Sequence, residues 1–325
     1  MSIIRRDVVR GPARIIYRSA VFFSKGDITL DVSKETFVIT SSVHGKTDER
    51  VESRKLTVSF TPVGEWEALP VLWPYGAFLL GQSVFDPTMY PSTPNTGNDF
   101  TLQIHSTDGR LITVSSAAVT NMSEIDLSPS KTMIGGMTFT GIGRDGSSWE
   151  DTNSLYTEGA LAFSNANYTG LSNATIKTHS YSAAWGNRSA PWNNIKTADG
   201  WRISLDVKLS PLACDDDGLY DMVFEELNVT ARCKPLGVSQ DAMRDALKMQ
   251  GSGMVRGSSL AAAVADDLVI RSRIIGGPVI TLTRAALKTA PMAFGPATLR
   301  NGEVLFVANR NFDGNGQPTS LCTIA

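Results

Sequence analysis

The chain has 325 residues, 42% of them hydrophobic, with 30 basic and 32 acidic side chains and a formal net charge of −2. That size and apolar fraction support two cores, and the balanced charge argues against a surface built to grip DNA while leaving DNA free to pass nearby. No apolar run is long enough to span a bilayer, so no membrane anchoring is expected; MSIIRRDVVR sets Arg and Asp where a signal peptide needs an apolar centre, which predicts an intracellular product.

In chain order, the first twenty residues carry Arg5, Arg6, Arg10, Arg14 and Arg18. Gly11-Pro12 argues against an unbroken helix there. The segment reads either as an extended arm laid on a neighbour, with contacts through Arg5, Arg6, Arg10 and Arg14, or as a frayed basic terminus. Ile28, Leu30 and Val32 share one face of a strand, and the phase is expected to break at a bulge near Lys34-Glu35. Leu56, Val58 and Phe60 resume the alternation, so a long hairpin with a polar tip from Val43 to Glu52 is predicted. Such a tip serves no core. Its charges Lys46, Asp48, Glu49, Arg50 and Glu52 suit contact with another subunit, where complementary fields set register.

A short irregular helix is expected around Trp66, Leu69, Leu72 and Trp73, ended by Pro74 and Gly76. Residues 87–98 read as loop. Phe100, Leu102 and Ile104 line a strand, Asp108-Gly109 turns the chain, and Leu111 to Ser115 returns it. Met137 to Ile142 closes a first domain, 1–142. Residues 143–176, rich in Gly, Ser, Asn and Thr, read as linker and inserted loop with no counterpart elsewhere. A second domain, 177–325, contains a cleaner helix, Ser239 to Met249, with Ser239 as N-cap and Asp241 in the first turn. Its own hairpin, between Val207 and Asp221, is expected to be shorter than the first.

The two domains read as copies. LITVSSAAVT at Leu111 to Thr120 returns as VITLTRAALK at Val279 to Lys288, with 168 residues between Thr113 and Thr281. ITLDV at Ile28 to Val32 matches ISLDV at Ile203 to Val207 at a separation of 175, and PVG at Pro62 to Gly64 matches PLG at Pro235 to Gly237 at 173. The matches keep their order, as a duplicated β domain with loop insertions requires. The fold expected is mainly β: two tandem, duplicated β-sandwich domains, each with a short flanking helix and a hairpin extension.

Signals of chemistry are weak. Thr140 to Gly146 satisfies G-x-G-x-x-G, but a poor helix follows and no βαβ unit surrounds it. Asp215-Asp216-Asp217-Gly218 lacks the Glu a calcium loop needs and reads as a hairpin end. His44, His105 and His179 are isolated, and Cys214, Cys233 and Cys322 have neither zinc nor disulfide spacing. No cofactor, metal or catalytic residue is predicted, and a structural role is favoured over an enzymatic one.

The β domain with one helix and a charged hairpin, together with PVG (62–64), DGRLITVSSAAVTNMSEIDLSPSKTMIGGMTFTGI (108–142) and DGWRISLDV (199–207), resembles the major tail tube proteins of long-tailed bacteriophages. The resemblance implies a virion structural protein, assembled in the host cytoplasm into stacked rings that form the hollow tail. It implies partners too: further copies of itself as homotrimeric rings, a tape measure protein, tail terminator and baseplate proteins, and double-stranded DNA in transient passage. A duplicated chain then supplies six similar domains from three copies. Two alternatives stand beside it. The expected shortness of the second hairpin suits a distal tail or baseplate ring, and Trp149 and Trp192 suit a β-sandwich carbohydrate-binding or adhesin module.

Overall fold

The computed structural model describes residues 13–18, 20–63, 83–85, 100–122, 124–128, 134–142, 154–161, 181–214, 218–238, 240–247, 265–273, 277–294, 299–312, 314 and 319–325. The strands in chain order are β1 (Ala13–Tyr17), β2 (Ala20–Ser24), β3 (Thr29–Ser41), β4 (Gly45–Phe60), β5 (Pro62–Val63), β6 (Phe100–Ser106), β7 (Arg110–Met122), β8 (Glu124–Asp126), β9 (Met137–Gly141) and β10 (Thr157–Ala160). They continue as β11 (Tyr181–Trp185), β12 (Lys196–Cys214), β13 (Gly218–Leu236), β14 (Asp266–Ser272), β15 (Val279–Thr289), β16 (Met292–Phe294), β17 (Leu299–Asn301), β18 (Val304–Val307) and β19 (Cys322–Ile324). One short helix, α1 (Gln240–Ala246), stands among them.

The chain is mainly β, with two large antiparallel sheets. The first runs β3-β4-β9-β7-β6-β1-β2-β5, with β10 on β7; the second runs β11-β14-β15-β18-β13-β12-β8, with β19 on β15, and β16 and β17 form a separate ribbon. Reversed, the second order repeats the first, β12-β13-β18-β15-β14-β11 matching β3-β4-β9-β7-β6-β1. The registers agree as well. The rung Val119, Phe139, Val58, Leu30 corresponds to Leu287, Phe306, Ala231, Ile203. Strand β6 meets β7 with a bulge between Phe100 and Leu102, and β14 meets β15 with one between Asp266 and Leu268. β10 holds on β7 the place that β19 holds on β15, since Thr157 faces Thr113 and Thr323 faces Thr281. Residues 143–176 therefore contain a segment with a counterpart, contrary to the expectation above: Thr157–Ala160 corresponds to the last strand of the chain. A four-residue edge strand is too short to show periodicity.

The hairpin of β3 and β4 bulges between Glu35 and Thr36, near the phase break the sequence indicates. It bulges again between Ile39 and Thr40 and ends at Ser41 opposite Gly45. The hairpin of β12 and β13 bulges between Lys208 and Leu209, then between Leu212 and Ala213, and ends at Cys214 opposite Gly218. All of these positions differ by 173 residues between the halves. The two arms are thus equally long, which corrects the expectation of a shorter second hairpin. The ITLDV match is corrected too: Leu30, opposite Val58, is the register equivalent of Ile203, opposite Ala231, so the halves align at 173 there rather than 175.

Each sheet curls, and the buried apolar side chains of the two form one cluster. Strands β1 and β9 are separated by β6 and β7, so in a flat sheet they would lie about 14 Å apart. Yet the Tyr17 and Phe139 ring centroids are 4.8 Å apart, edge to face. In the second half the corresponding residues, Trp185 and Phe306, repeat this at 5.1 Å. The central strand bends where its bulge moves it from one partner to the other, Leu102 facing Val114 and Gly141 facing Ala117. Val114, Ala117, Ala118 and Val119 are buried at this fold, as are Leu282, Ala285, Ala286 and Leu287 in the second half.

The helix expected from Ser239 to Met249 is found over Gln240–Ala246, with Met243 and Ala246 buried. Gly237 at φ +72° turns the chain towards it. The counterpart expected at 66–73 lies outside the described residues.

The halves are joined by backbone. β8, chained to the first half, pairs with β12 through Arg202↔Asp126, Ile203↔Ile125 and Ser204↔Glu124. Beside it Gly200 has φ +85°, and a Cβ there would stand 2.5 Å from the Leu127 carbonyl oxygen. Gly200→Ala should therefore cost about 1–3 kcal/mol through strain and a forced retreat of 127–128. Chemical denaturation measures this; a variant as stable as the parent would show that the joint yields freely.

Candidate assembly surface

The first arm projects with both faces outside the core. Val32, Phe37, Val38, Val43 and Val51 are 43%, 57%, 40%, 79% and 50% exposed. Of the eight large apolar side chains exposed among the described residues, these five lie on one hairpin. Such a concentration marks a contact surface rather than ordinary scatter. The arm also ends the sheet: β3 is the last strand of its path, and among the described residues no strand lies on its outer edge.

Polar contacts stiffen the arm. Lys46 Nζ lies 2.9 Å from Glu49 Oε2, and the Thr36 hydroxyl donates to Glu49 Oε1 at 2.7 Å. Lys46, then Thr36, hold the Glu49 carboxyl below the usual carboxylate range. Ser53 donates to Glu35 at 2.9 Å, and the Thr47 hydroxyl to the Ile39 carbonyl at 3.0 Å. Lys46, Asp48, Glu49 and Arg50 are all exposed on β4, so the charge cluster expected from sequence is assembled on one strand. The Glu52 side chain lies outside the described residues. So do Arg5, Arg6 and Arg10. Arg14 is no part of a free arm: it sits in β1, opposite His105 on one side and Phe23 on the other.

The second arm shares this backbone but is covered. Ser83 bridges to Val223, and the Val84 amide donates to the Met222 carbonyl at 2.8 Å. Asp221, fully buried, accepts from the Phe85 amide at 2.9 Å and from the Ser83 hydroxyl. Val84, Phe85 and Phe224 are buried at this seam. On the other side β8 covers β12, burying Ile125, Ile203 and Leu205. Asp48 occupies on the first arm the rung of Asp221, and Val51 that of Phe224. The first half thus covers the second arm at two places, and among the described residues the first arm carries neither cover.

No family model matches this chain, and no curated protein matches it.

Sequence reading missed Ser83–Phe85, which meets β13 through one isolated bridge, and took Ile125 and Leu127 only as the approach to a turn near Pro129; both segments are too short for a clear periodic signal. Asp221 was the available clue, a carboxylate between the apolar residues of LYDMVF. Trp192 is buried, its ring centroid 5.2 Å from that of Trp185, and offers no platform for a sugar; Trp149 lies outside the described residues. Cys233 and Cys322 are buried free thiols, and burial pushes the Cys322 thiol up to about 12. No group of three His, Cys, Asp or Glu side chains suited to a metal occurs among the described residues.

Proposed function

We propose that this chain is a structural virion protein whose copies form closed rings that stack into the hollow tail tube of a long-tailed phage, each half being one tail-tube-type β-sandwich. The observation that carries the reading is the pair of equivalent arms, one covered by the chain's own first half and one bare. A bare arm with exposed valines and phenylalanine is a liability in a free monomer. A neighbouring copy removes the liability. Three chains give six similar halves, so the ring is a trimer with approximate sixfold symmetry. Contacts between unlike upper and lower faces let rings stack, and rotation closes each one. Tape measure, terminator and baseplate proteins are its partners in the tail, and DNA passes through without being gripped. The equal length of the arms removes the motive for a distal ring role.

Recombinant protein and purified virions, imaged as single particles with masses assigned per ring, test this. Stacked rings of three chains are expected. Six chains per ring would remove the trimer and keep the tube, whereas a lasting monomer under all assembly conditions and absence from tail particles would remove both.

A further inference from the structure

We infer that neighbouring chains join by strand addition, β16 of one copy pairing with β3 of the next, Ala293 opposite Leu30. The inference rests on the ring reading and specifies its joint.

The chain displays this joint once within itself. β8 leaves the end of β7 and adds to β12, Ile125 opposite Ile203. β16 leaves the end of β15 in the same way, and Met292 stands 168 residues after Glu124, the separation of Thr113 and Thr281. On its inner side β8 meets Ile134, through Ile125, and β16 meets β17. On its outer side β8 has β12; β16 has no strand there among the described residues. The acceptor is missing in the same sense. β3 is the register equivalent of β12, and its outer edge carries no strand among the described residues. Burial records the gap: Ile203 and Leu205 are buried, while their equivalents Leu30 and Val32 are half-buried and exposed.

One chain therefore holds one donor strand and one acceptor edge, in different halves, with a register already realised between them. Transferring that register gives Met292 opposite Asp31, Ala293 opposite Leu30 and Phe294 opposite Thr29. The occupant is a second copy, because the first half solves the same geometry on the second. Donor and acceptor differ, so the contact is heterologous and propagates around a ring. The backbone differs just ahead of these rungs, Gly26 taking φ +107° before β3 and Gly200 φ +85° within β12, at positions that are not equivalent, so the shared register covers these three rungs only.

Cysteine pairs test it in a Cys214→Ser background, with Cys233 and Cys322 left buried. Antiparallel rungs alternate between wide and close spacing, so two neighbouring pairs are made: Leu30→Cys with Ala293→Cys, and Asp31→Cys with Met292→Cys. After assembly and mild oxidation, one pair should yield a non-reducing ladder of two, three and more chains, ending at the ring size. Each single-cysteine variant should stay at one chain, apart from a trace of dimer. Rings or tubes without cross-links in either pair would overturn the joint and leave the ring reading standing. Monomer alone, without cross-links, would sink both. A cross-linked species that stops at two chains would replace the ring joint by a mutual exchange.

Discussion

Replacing Trp185 by alanine is expected to cost about 3–5 kcal/mol, the range for deleting a large buried aromatic. The side chain is fully buried. Its indole N–H donates to the Ala285 carbonyl at 2.8 Å, and its ring meets Trp192 and Phe306 edge to face at 5.2 and 5.1 Å. The Arg188 guanidinium covers another side, 3.7 Å from the ring centroid. Because Trp185 and Phe306 lie on strands separated by two others, the contact is what closes the curled second sheet. Alanine leaves a cavity at that closure and removes the donor from a buried carbonyl. For a half of this size the melting temperature should fall by roughly 10 °C. Trp185→Phe, which keeps a ring and loses the N–H, should cost about 1–2 kcal/mol. Calorimetry with near-ultraviolet dichroism measures both. An alanine variant within about 1 kcal/mol of the parent would show that the aromatic cluster is not what holds the sheet closed.

The second large effect separates folding from assembly on one rung. Val51 and Phe224 are register equivalents, yet Val51 is 50% exposed and Phe224 is 2%. Val51→Asp should change stability by no more than about 0.5 kcal/mol, since an exposed site has little packing to lose. It should nonetheless abolish ring formation by leaving a desolvated charge in the proposed contact. Phe224→Ala should do the reverse, costing about 3–5 kcal/mol by opening the seam with Val84 and Phe85. Thermal melts and sedimentation velocity read the two outcomes. Normal assembly by the Val51 variant would count directly against the first arm as a contact.

Much of this architecture was readable before the structure. The match of Leu111–Thr120 with Val279–Lys288 aligns the central strands on the correct rungs, because AA at 117–118 and at 285–286 pins the frame. The bulge after Glu35 was signalled by a break in alternation, and the exposed charges of β4 by the lack of any core-facing pattern. The cover on the second arm was not. It comes from Ser83–Phe85, more than a hundred residues away from the strand it meets.

Sequence alone determined that the chain is β-rich, that its halves repeat, and that the first hairpin is polar at its tip. It misplaced ITLDV by two residues because a strand repeats every second residue, so an even slip preserves every face. It underestimated the second arm because Leu209, Leu212, Phe224 and Leu227 look like body rather than arm, and they are apolar for a reason outside their own strands. Only the tertiary structure decided that the first half covers the second arm, that β8 belongs to the second sheet, and that among the described residues no strand lies on the outer edges of β3 and β16. Backbone edges carry the same N–H and C=O groups whatever the side chains are. Which edges are paired is therefore settled by how the sheets are placed in space, and the residues along them hold almost no record of it.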